Sequence, residues 1–391
     1  MSTCKGAWKL QEVRDQVLAG DWVTYNSDSD PGTMWTWGFN AYGRLGVNDT
    51  VPRSSPVQIP GTNWVNIASG SGVGHAIKAD GTLWSWGNAE AGKLGTNSTI
   101  TRSSPVQVPG TQWCQITSGS AVLALKTDGT LWAWGCGERG ESGLNCTARR
   151  SSPTQIPGTS WCFAKTNRLC SSIALKTDGT LWTWGQDNCG QLGQNGGPNP
   201  YDPNICNRSS PIQVPGGTWC FATMGAGSNA QNSFGIKTDG TMWAWGSNDQ
   251  GNLGIGGGAN RSSPIQIPGT QWCTVASTGY EGHAIKTDGT LWGWGRNNYG
   301  TIGVNSTVQI NSPVQIPGTQ WKNISSNFVS GGSILATKTD GTLWTWGSQS
   351  SFGVLGNDNT LVHKSSPVQI PGTSWSLISR GGGGTAIARK V

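Results

Sequence analysis

Histidine, cysteine and acidic side chains are the residues of this sequence that could carry catalytic or metal chemistry, and their spacing favours neither. The 391 residues include three histidines, His75, His283 and His363, and ten cysteines. A zinc site needs closely spaced ligands, yet no Cys-x-x-Cys pair occurs. We find no paired carboxylates, no Gly-x-Ser-x-Gly and no phosphate-binding loop before a helix. We therefore expect a non-enzymatic protein with no catalytic residue, no metal and no cofactor.

The histidines and cysteines have simpler structural interpretations. His75 and His283 occupy equivalent positions in two copies of a sequence repeat, which favours structural placement. Four cysteines follow a recurring tryptophan and are expected to be small buried apolar residues. They are Cys114, Cys162, Cys220 and Cys273. The pairs that could form local disulfides are Cys162/Cys170, Cys136/Cys146 and Cys189/Cys206.

Six basic residues precede a recurring Ser-Ser-Pro and form a candidate basic ring. They are Arg53, Arg102, Arg150, Arg208, Arg261 and Lys364. Their number equals the net charge of +6. Each cation could brace the neighbouring repeat, or the ring could bind an anionic host-surface glycan through multivalent contacts. Nucleic-acid-binding surfaces usually cluster their basic residues, whereas these are dispersed around a ring. We therefore expect no nucleic-acid partner.

The largest break in the repeat lies between Gln194 and Asn207. Specificity is expected where a repeat departs from uniformity, because uniform copies offer the same groups each time. Asn195, Tyr201 and Asn204 are therefore candidate recognition-loop residues. A tolerated surface insertion remains the alternative.

The repeat itself is marked by Trp-x-Trp-Gly, which occurs seven times. The pairs are Trp35/Trp37, Trp84/Trp86, Trp132/Trp134, Trp182/Trp184, Trp243/Trp245, Trp292/Trp294 and Trp344/Trp346. Successive copies lie 48 to 61 residues apart, a period typical of propeller blades or large solenoid units.

One unit, residues 61–110, predicts four antiparallel strands. The first carries Trp64, and the second ends at Lys78. Asp80-Gly81 then predicts a type I′ hairpin turn into a third strand that contains the tryptophan pair. The fourth strand is flanked by prolines, which are confined to sheet edges, strand starts and bulges.

Seven such units predict an all-β fold, a seven-bladed β-propeller of four-stranded antiparallel blades. The first unit lacks an upstream Trp-x-x-Ile strand, whereas residues 373–391 supply two surplus strands. We expect these C-terminal strands to pair with residues 31–62, completing blade one and closing the ring.

The motif Gly-Thr-Leu-Trp-x-Trp-Gly-x-Asn-x-x-Gly-x-Leu-Gly, followed by Ser-Ser-Pro-x-Gln-Ile-Pro, resembles the repeats of the regulator-of-chromosome-condensation (RCC1) family. The resemblance covers about residues 30–391 and implies a seven-bladed propeller. Functions in that family range from nucleotide exchange on small GTPases to chromatin docking and light sensing, and fold alone does not choose among them.

The N-terminal residues predict a short helix. Leu10, Val13 and Val17 share a helical face, and Gly20 is placed to end it. With Trp8 they are candidate docking residues of a helical segment, residues 1–21, that precedes the propeller, residues 22–391. The segment looks like the N-terminal segment of many phage tail and virion proteins, although it could simply pack on one mouth of the propeller.

These observations predict a phage virion protein of the tail or tail fibre, with a host-recognition surface. Its partners would be other virion proteins through the N-terminal segment, and a host surface glycan or protein. No signal peptide and no membrane-spanning run is found, so we expect synthesis in the host cytoplasm, virion localisation and no membrane insertion. The alternative is a soluble intracellular RCC1-like scaffold that binds a GTPase or another protein.

Overall fold

Seven antiparallel blades surround one axis in this chain. The computed structural model describes residues 32–70, 72–195, 207–227, 231–327, 332–349, 355–356, 362–381 and 385–390. Each blade has four strands, and the innermost strand of one blade contacts that of the next. The predicted N-terminal helix, and the boundary between residues 21 and 22, lie outside the described residues.

The strands run in chain order around the ring. They are β1 (Gly32–Gly38), β2 (Arg53–Ser69), β3 (Val73–Lys78), β4 (Leu83–Gly87), β5 (Arg102–Val108), β6 (Trp113–Ser118), β7 (Ala121–Lys126), β8 (Leu131–Gly135), β9 (Arg150–Gln155), β10 (Trp161–Thr166), β11 (Ser171–Lys176), β12 (Leu181–Gly185), β13 (Arg208–Gln213), β14 (Trp219–Ala226), β15 (Gln231–Lys237), β16 (Met242–Gly246), β17 (Arg261–Gln266), β18 (Trp272–Ser277), β19 (Glu281–Lys286), β20 (Leu291–Gly295), β21 (Ile310–Ile316), β22 (Trp321–Asn327), β23 (Ser333–Lys338), β24 (Leu343–Gly347), β25 (Lys364–Ile370), β26 (Trp375–Gly381) and β27 (Thr385–Lys390).

The two ends of the described chain share one blade. Its strand order is β26-β27-β1-β2, with β1 antiparallel to β27 from Thr33↔Lys390 to Gly38↔Thr385. Strand β2 is long enough to serve as the outer strand of this blade and then as the innermost strand of the next. This confirms the predicted seven-bladed propeller and its closure by the C-terminal strands.

The second tryptophan of each Trp-x-Trp pair holds adjacent blades together. Trp86 is completely buried, and its indole N–H donates to the Arg44 carbonyl of the preceding blade at 3.0 Å. Gly46 packs against this ring with φ +73°, and a Cβ there would lie 2.7 Å from the indole nitrogen. The position therefore needs glycine both for its left-handed backbone and for the close approach.

The hairpin between the second and third strands differs from the predicted type I′ turn. The Gly81 N–H donates to the Lys78 carbonyl and the Lys78 N–H donates to the Thr82 carbonyl, both at 2.9 Å. Asp80 does not adopt a positive φ, whereas Gly81 has φ +76°. This is a type I turn followed by a glycine bulge, the usual form of a three-residue hairpin loop. Its Asp80 side chain accepts the Thr82 N–H at 2.9 Å, which lowers the pKa of Asp80.

The proline of each Ser-Ser-Pro sits at an irregularity in the outer strand. In β5 the pairing with β4 shifts register between Ser85 and Gly87, opposite the segment that contains Pro105. A proline cannot donate to a strand ladder, so a bulge on an edge strand accommodates it. This agrees with the predicted edge position of these strands.

The innermost strands of all seven blades surround a cavity on the axis. Its volume is about 240 Å³. Over the described part of the chain, no helix has the length and apolar character needed to cross a membrane.

Candidate functional site

The predicted basic ring lies along one rim of the propeller. In each of six blades, the glycine of Trp-x-Trp-Gly pairs with the basic residue that begins the outer strand. The pairs are Gly38↔Arg53, Gly87↔Arg102, Gly135↔Arg150, Gly185↔Arg208, Gly246↔Arg261 and Gly347↔Lys364. The seventh pair is Gly295↔Ile310. Because the strand register is equivalent in every blade, these residues lie at the same end of the propeller. We call this end the Arg rim.

The cations of the Arg rim differ in their surroundings. Arg53 forms an ion pair with Asp49 at 2.5 Å within its own loop. Arg150 is exposed, and its guanidinium lies 3.9 Å from the Cys146 sulfur. Among the described residues, Arg102 and Arg261 make no side-chain hydrogen bond or ion pair, and both are exposed. A uniform brace between neighbouring blades is therefore not observed, and these two charges are available to a partner.

Exposed branched apolar residues accompany the Arg rim on four consecutive blades. Each lies two positions before the first residue of an outer strand. They are Val308, Val362, Val51 and Ile100, with exposed fractions of 69, 49, 57 and 60%. Scattered single apolar residues are ordinary on a surface, whereas these four recur at one position of the repeat on neighbouring blades. The sequence analysis missed these residues, although Val51, Ile100 and Val362 each precede a basic residue of the ring by two positions in the sequence.

Asn195, a candidate recognition residue, contacts the next blade in the structure. Its N–H donates to the Ser262 carbonyl at 2.8 Å, and its side-chain oxygen accepts from Ser263 at 2.9 Å. The same contact is made in other blades by Asn48, Asn97, Asn145 and Asn305. All five asparagines have positive φ, which asparagine tolerates better than most residues. We call this contact the asparagine clasp.

The remaining candidate residues fall outside the described residues. These are Tyr201 and Asn204 of the recognition loop and Trp8, Leu10, Val13 and Val17 of the docking segment.

On the opposite face, each of six blades holds a lysine between two indoles. Lys78 Nζ lies 5.0 Å from the ring centroid of Trp64 and 4.5 Å from that of Trp84. The equivalent lysines are Lys126, Lys176, Lys237, Lys286 and Lys338. Contacts over aromatic faces stabilise the cation within the blade. These lysines therefore serve the scaffold.

His75 and His283, for which the repeat favoured structural placement, are completely buried at equivalent positions, whereas His363 is exposed. His75 has no hydrogen-bond partner on either ring nitrogen among the described residues. His283 Nε2 lies 2.9 Å from the Thr301 carbonyl. Burial lowers the pKa of His75 to about 3 and that of His283 to about 4, so both rings are neutral near pH 7.

Three acids, Glu141, Asp187 and Glu281, are buried among the described residues, and the last two lie in different blades. Glu281 accepts hydrogen bonds from Thr278 and from Thr301, and burial raises its pKa to about 7. Asp187 accepts the Leu192 N–H at 2.9 Å, and burial raises its pKa to about 6. Each acid is held by hydroxyl or backbone donors of its own blade or the next one. Among the described residues neither Glu281 nor Asp187 is hydrogen-bonded to a second carboxylate, so their environment fits a structural role.

The eight described cysteines are free thiols, so the bridges considered for Cys162/Cys170 and Cys136/Cys146 are not formed. Cys206 lies outside the described residues. Cys114 donates to the Leu125 carbonyl, and burial raises its pKa to about 12. Such a thiol is unreactive at neutral pH. Within the ranges that the structure describes, no group of three or more histidine, cysteine or acidic side chains could hold a metal ion.

Solved structures with similar folds come from yeast and human proteins. A crystal structure of yeast RCC1 (Prp20) bound to Kap60 matches with a TM-score of 0.80 and 18% identity, covering 93% of this chain and 90% of that one. Prp20p from Saccharomyces cerevisiae, in a study of its binding to Gsp1p and histones, matches with a TM-score of 0.78 and 17% identity, covering 97% and 94%. Human WBSCR16 matches with a TM-score of 0.76 and 18% identity, covering 92% and 98%. No curated protein sequence matches the chain.

The predicted function as a phage tail or tail-fibre protein is wrong. The comparisons lead to RCC1-type proteins of yeast and human, which agrees better with the alternative of an RCC1-like interaction scaffold. The virion partners inferred from that function are withdrawn with it. The N-terminal residues that suggested it lie outside the described structure, and a short helical pattern is common to many unrelated proteins.

Family models agree with the blades. The model of the regulator of chromosome condensation (RCC1) repeat matches residues 31–77, 80–124, 128–163, 239–282, 288–334 and 340–388, and a second model of the same repeat matches residues 170–191. These matches cover most of the chain and follow the Trp-x-Trp-Gly units one by one, and the chain belongs to the RCC1 repeat family.

Proposed function

We propose that this chain is a non-enzymatic scaffold that binds a protein partner on its Arg rim. The observation that carries the proposal is the row of exposed Val308, Val362, Val51 and Ile100 on four consecutive blades, beside the basic residues of the rim. Apolar contacts at the centre of an interface, surrounded by polar and charged groups, are typical of protein–protein recognition.

The charge of the rim narrows the chemistry of the partner. Arg102 and Arg261 are exposed and have no acidic neighbour in contact among the described residues. Such cations favour an acidic surface and repel a basic one. The partner is therefore a protein that presents an apolar patch with acidic residues around it. A small GTPase with such a surface is one class of protein that fits this description. The structure of yeast Prp20p, reported with its binding to Gsp1p and histones, supports the choice of a protein partner.

The experiment compares two doubly substituted chains with the natural one. Val51→Asp/Val362→Asp places two carboxylates in the apolar row on adjacent blades. Gln320→Asp/Ser374→Asp adds the same charge to the opposite face, at exposed positions whose positive φ aspartate tolerates. Purified chains are immobilised, and proteins retained from lysate of the source cells are quantified by mass spectrometry.

We expect one protein to be retained in near-stoichiometric amount by the natural chain and by Gln320→Asp/Ser374→Asp. Its recovery should fall at least tenfold with Val51→Asp/Val362→Asp, because burying a carboxylate against an apolar surface disfavours binding. Direct titration of the purified partner then checks the same ratio. Equal recovery by both variants, or no saturable partner at all, would overturn the proposal.

A further inference from the structure

The axial cavity is lined by polar and apolar residues from every blade. Hydroxyl side chains line it from all seven innermost strands, among them Ser69, Thr117, Thr166, Thr223, Ser277, Ser325 and Ser379. No aspartate or glutamate is among the described residues that line the cavity, whereas Lys165 and Arg168 are. The charged side chains of the described lining are therefore positive.

Lys165 is a departure from the repeat. It lies four positions after the first tryptophan of its innermost strand, β10. The residues at this position in the other blades are Ala68, Thr117, Thr223, Ala276, Ser325 and Ser379. All six are small and uncharged. The repeat keeps this position small in six blades. The long, charged side chain in the seventh blade therefore points to a specific requirement of that blade.

Among the described residues, no acidic side chain pairs with Lys165. Its Nζ donates to Thr223 Oγ1 at 3.1 Å and lies 5.9 Å from the ring centroid of Phe221. The side chain is half-buried at the cavity wall, and desolvation lowers its pKa to about 8. The group is therefore still mostly protonated at pH 7. A partly desolvated ammonium group without an anion is unfavourable, so an anion that enters the cavity would gain from contacting it.

Hydrogen-bond donors suited to an anion lie in the same cavity. The Ser118 hydroxyl is buried and has no hydrogen-bond partner among the described residues. Thr117 of the same strand also lines the cavity. Hydroxyl donors and one ammonium group, with no competing carboxylate, are a combination that suits an oxyanion.

We propose that the axial cavity binds a phosphate-sized oxyanion, with Lys165 Nζ as its main contact. The cavity volume of about 240 Å³ accommodates an inorganic phosphate or a small carboxylate with accompanying water. This site is separate from the Arg rim and does not depend on the protein partner proposed above.

The test uses Lys165→Thr, which installs the residue that two other blades carry at this position, Thr117 and Thr223. Lys165→Met is a second variant that keeps the length of the side chain without its charge. Arg149→Gln is the matched control, because it removes one exposed positive charge that belongs neither to the cavity nor to the basic ring. Isothermal titration calorimetry with inorganic phosphate, and separately with acetate, is performed at pH 7 and constant ionic strength.

We expect saturable one-to-one binding of at least one of these anions to the natural chain and to Arg149→Gln. Binding should weaken at least tenfold in Lys165→Thr and Lys165→Met, and it should weaken in the natural chain as the pH rises through 8. Thermal unfolding without added anion should be no easier in Lys165→Thr, since an unpaired, partly desolvated cation is removed. Absence of saturable binding of both anions to the natural chain, or equal affinity in the Lys165 variants, would overturn the proposal.

Discussion

His75 occupies an apolar position of the repeat. The equivalent residues of the other blades, three before the lysine that ends the second strand, are Leu123, Ile173, Phe234, His283, Leu335 and Ile387. Both ring nitrogens of His75 are buried without partners among the described residues, whereas His283 has the Thr301 carbonyl. A buried polar group without a hydrogen bond is destabilising, so His75 is a weak point of its blade.

Replacing His75 with leucine should stabilise the protein, and more so in acid. The folded-state pKa of about 3 lies below the value of 6.5 for an unfolded histidine, so the unfolded chain binds an extra proton between these pH values. Stability contributed by the neutral ring is complete above pH 6.5 and is lost as the pH falls, by about 1.4 kcal/mol per pH unit. Urea denaturation should therefore show a larger gain for His75→Leu at pH 5 than at pH 8, by about 2 kcal/mol.

His283→Leu is the control for this measurement. It removes a similar proton penalty, because the pKa of His283 is lowered to about 4, but it also removes the contact with the Thr301 carbonyl. Its gain at pH 8 should therefore be smaller than that of His75→Leu. An identical stability difference for His75→Leu at both pH values would contradict this account of the buried ring.

At the scale of the elements, the asparagine clasp connects the loop after the third strand of five blades to the outer strand of the next blade. Asn195 makes this contact with φ +55°. Alanine is strained in this region of the backbone and glycine is not.

Asn195→Ala should therefore destabilise the protein by about 1 kcal/mol more than Asn195→Gly, since both lose the bond from Ser263 and only alanine adds backbone strain. Equilibrium denaturation in urea measures the difference. If Asn195 instead served recognition alone, both variants would keep the stability of the natural chain, which would contradict the clasp.

The strands could be predicted from the repeat, because the tryptophan pairs, glycines and prolines each occupy positions that the local structure of a blade requires. It did not determine the hairpin at Asp80-Gly81, since this dipeptide also suits a glycine bulge and the choice depends on Lys78 pairing with Thr82. Position in the repeat placed the basic residues together on one rim. The sequence analysis missed Lys165, because the direction of its side chain depends on how its strand is oriented about the axis. Aligning the seven innermost strands position by position reveals it as the single cation at its position.

At the scale of the whole molecule, the ring is held closed by strands that are distant in sequence. Strand β27 places Ile387 and its neighbours Ala386 and Ala388 completely within the core, against β1. Arg389 is also fully buried there, with its Nε bonded to Ser376 Oγ at 2.9 Å. The closing blade therefore stabilises both of its neighbours.

Deleting residues 373–391 should destabilise the whole propeller, because it removes both inner strands of the closing blade. We expect a fall in melting temperature of more than about 10 °C, measured by circular dichroism, as several kcal/mol of burial are lost. A synthetic peptide of residues 373–391, added to the truncated chain, should recover part of the loss. A truncated chain with an unchanged melting curve would contradict closure.

The blade that contains both β1 and the C-terminal strands also determines when folding can be completed. During synthesis, the edge of β1 that pairs with β27 stays without its native neighbour until Thr385–Lys390 have left the ribosome. Every other blade can therefore form before this one. Pairing across such a separation is slow, and an open strand edge is vulnerable meanwhile to equivalent strands of another copy. Crowded nascent chains would then exchange their last two strands, producing intertwined dimers in which each ring is completed by its neighbour.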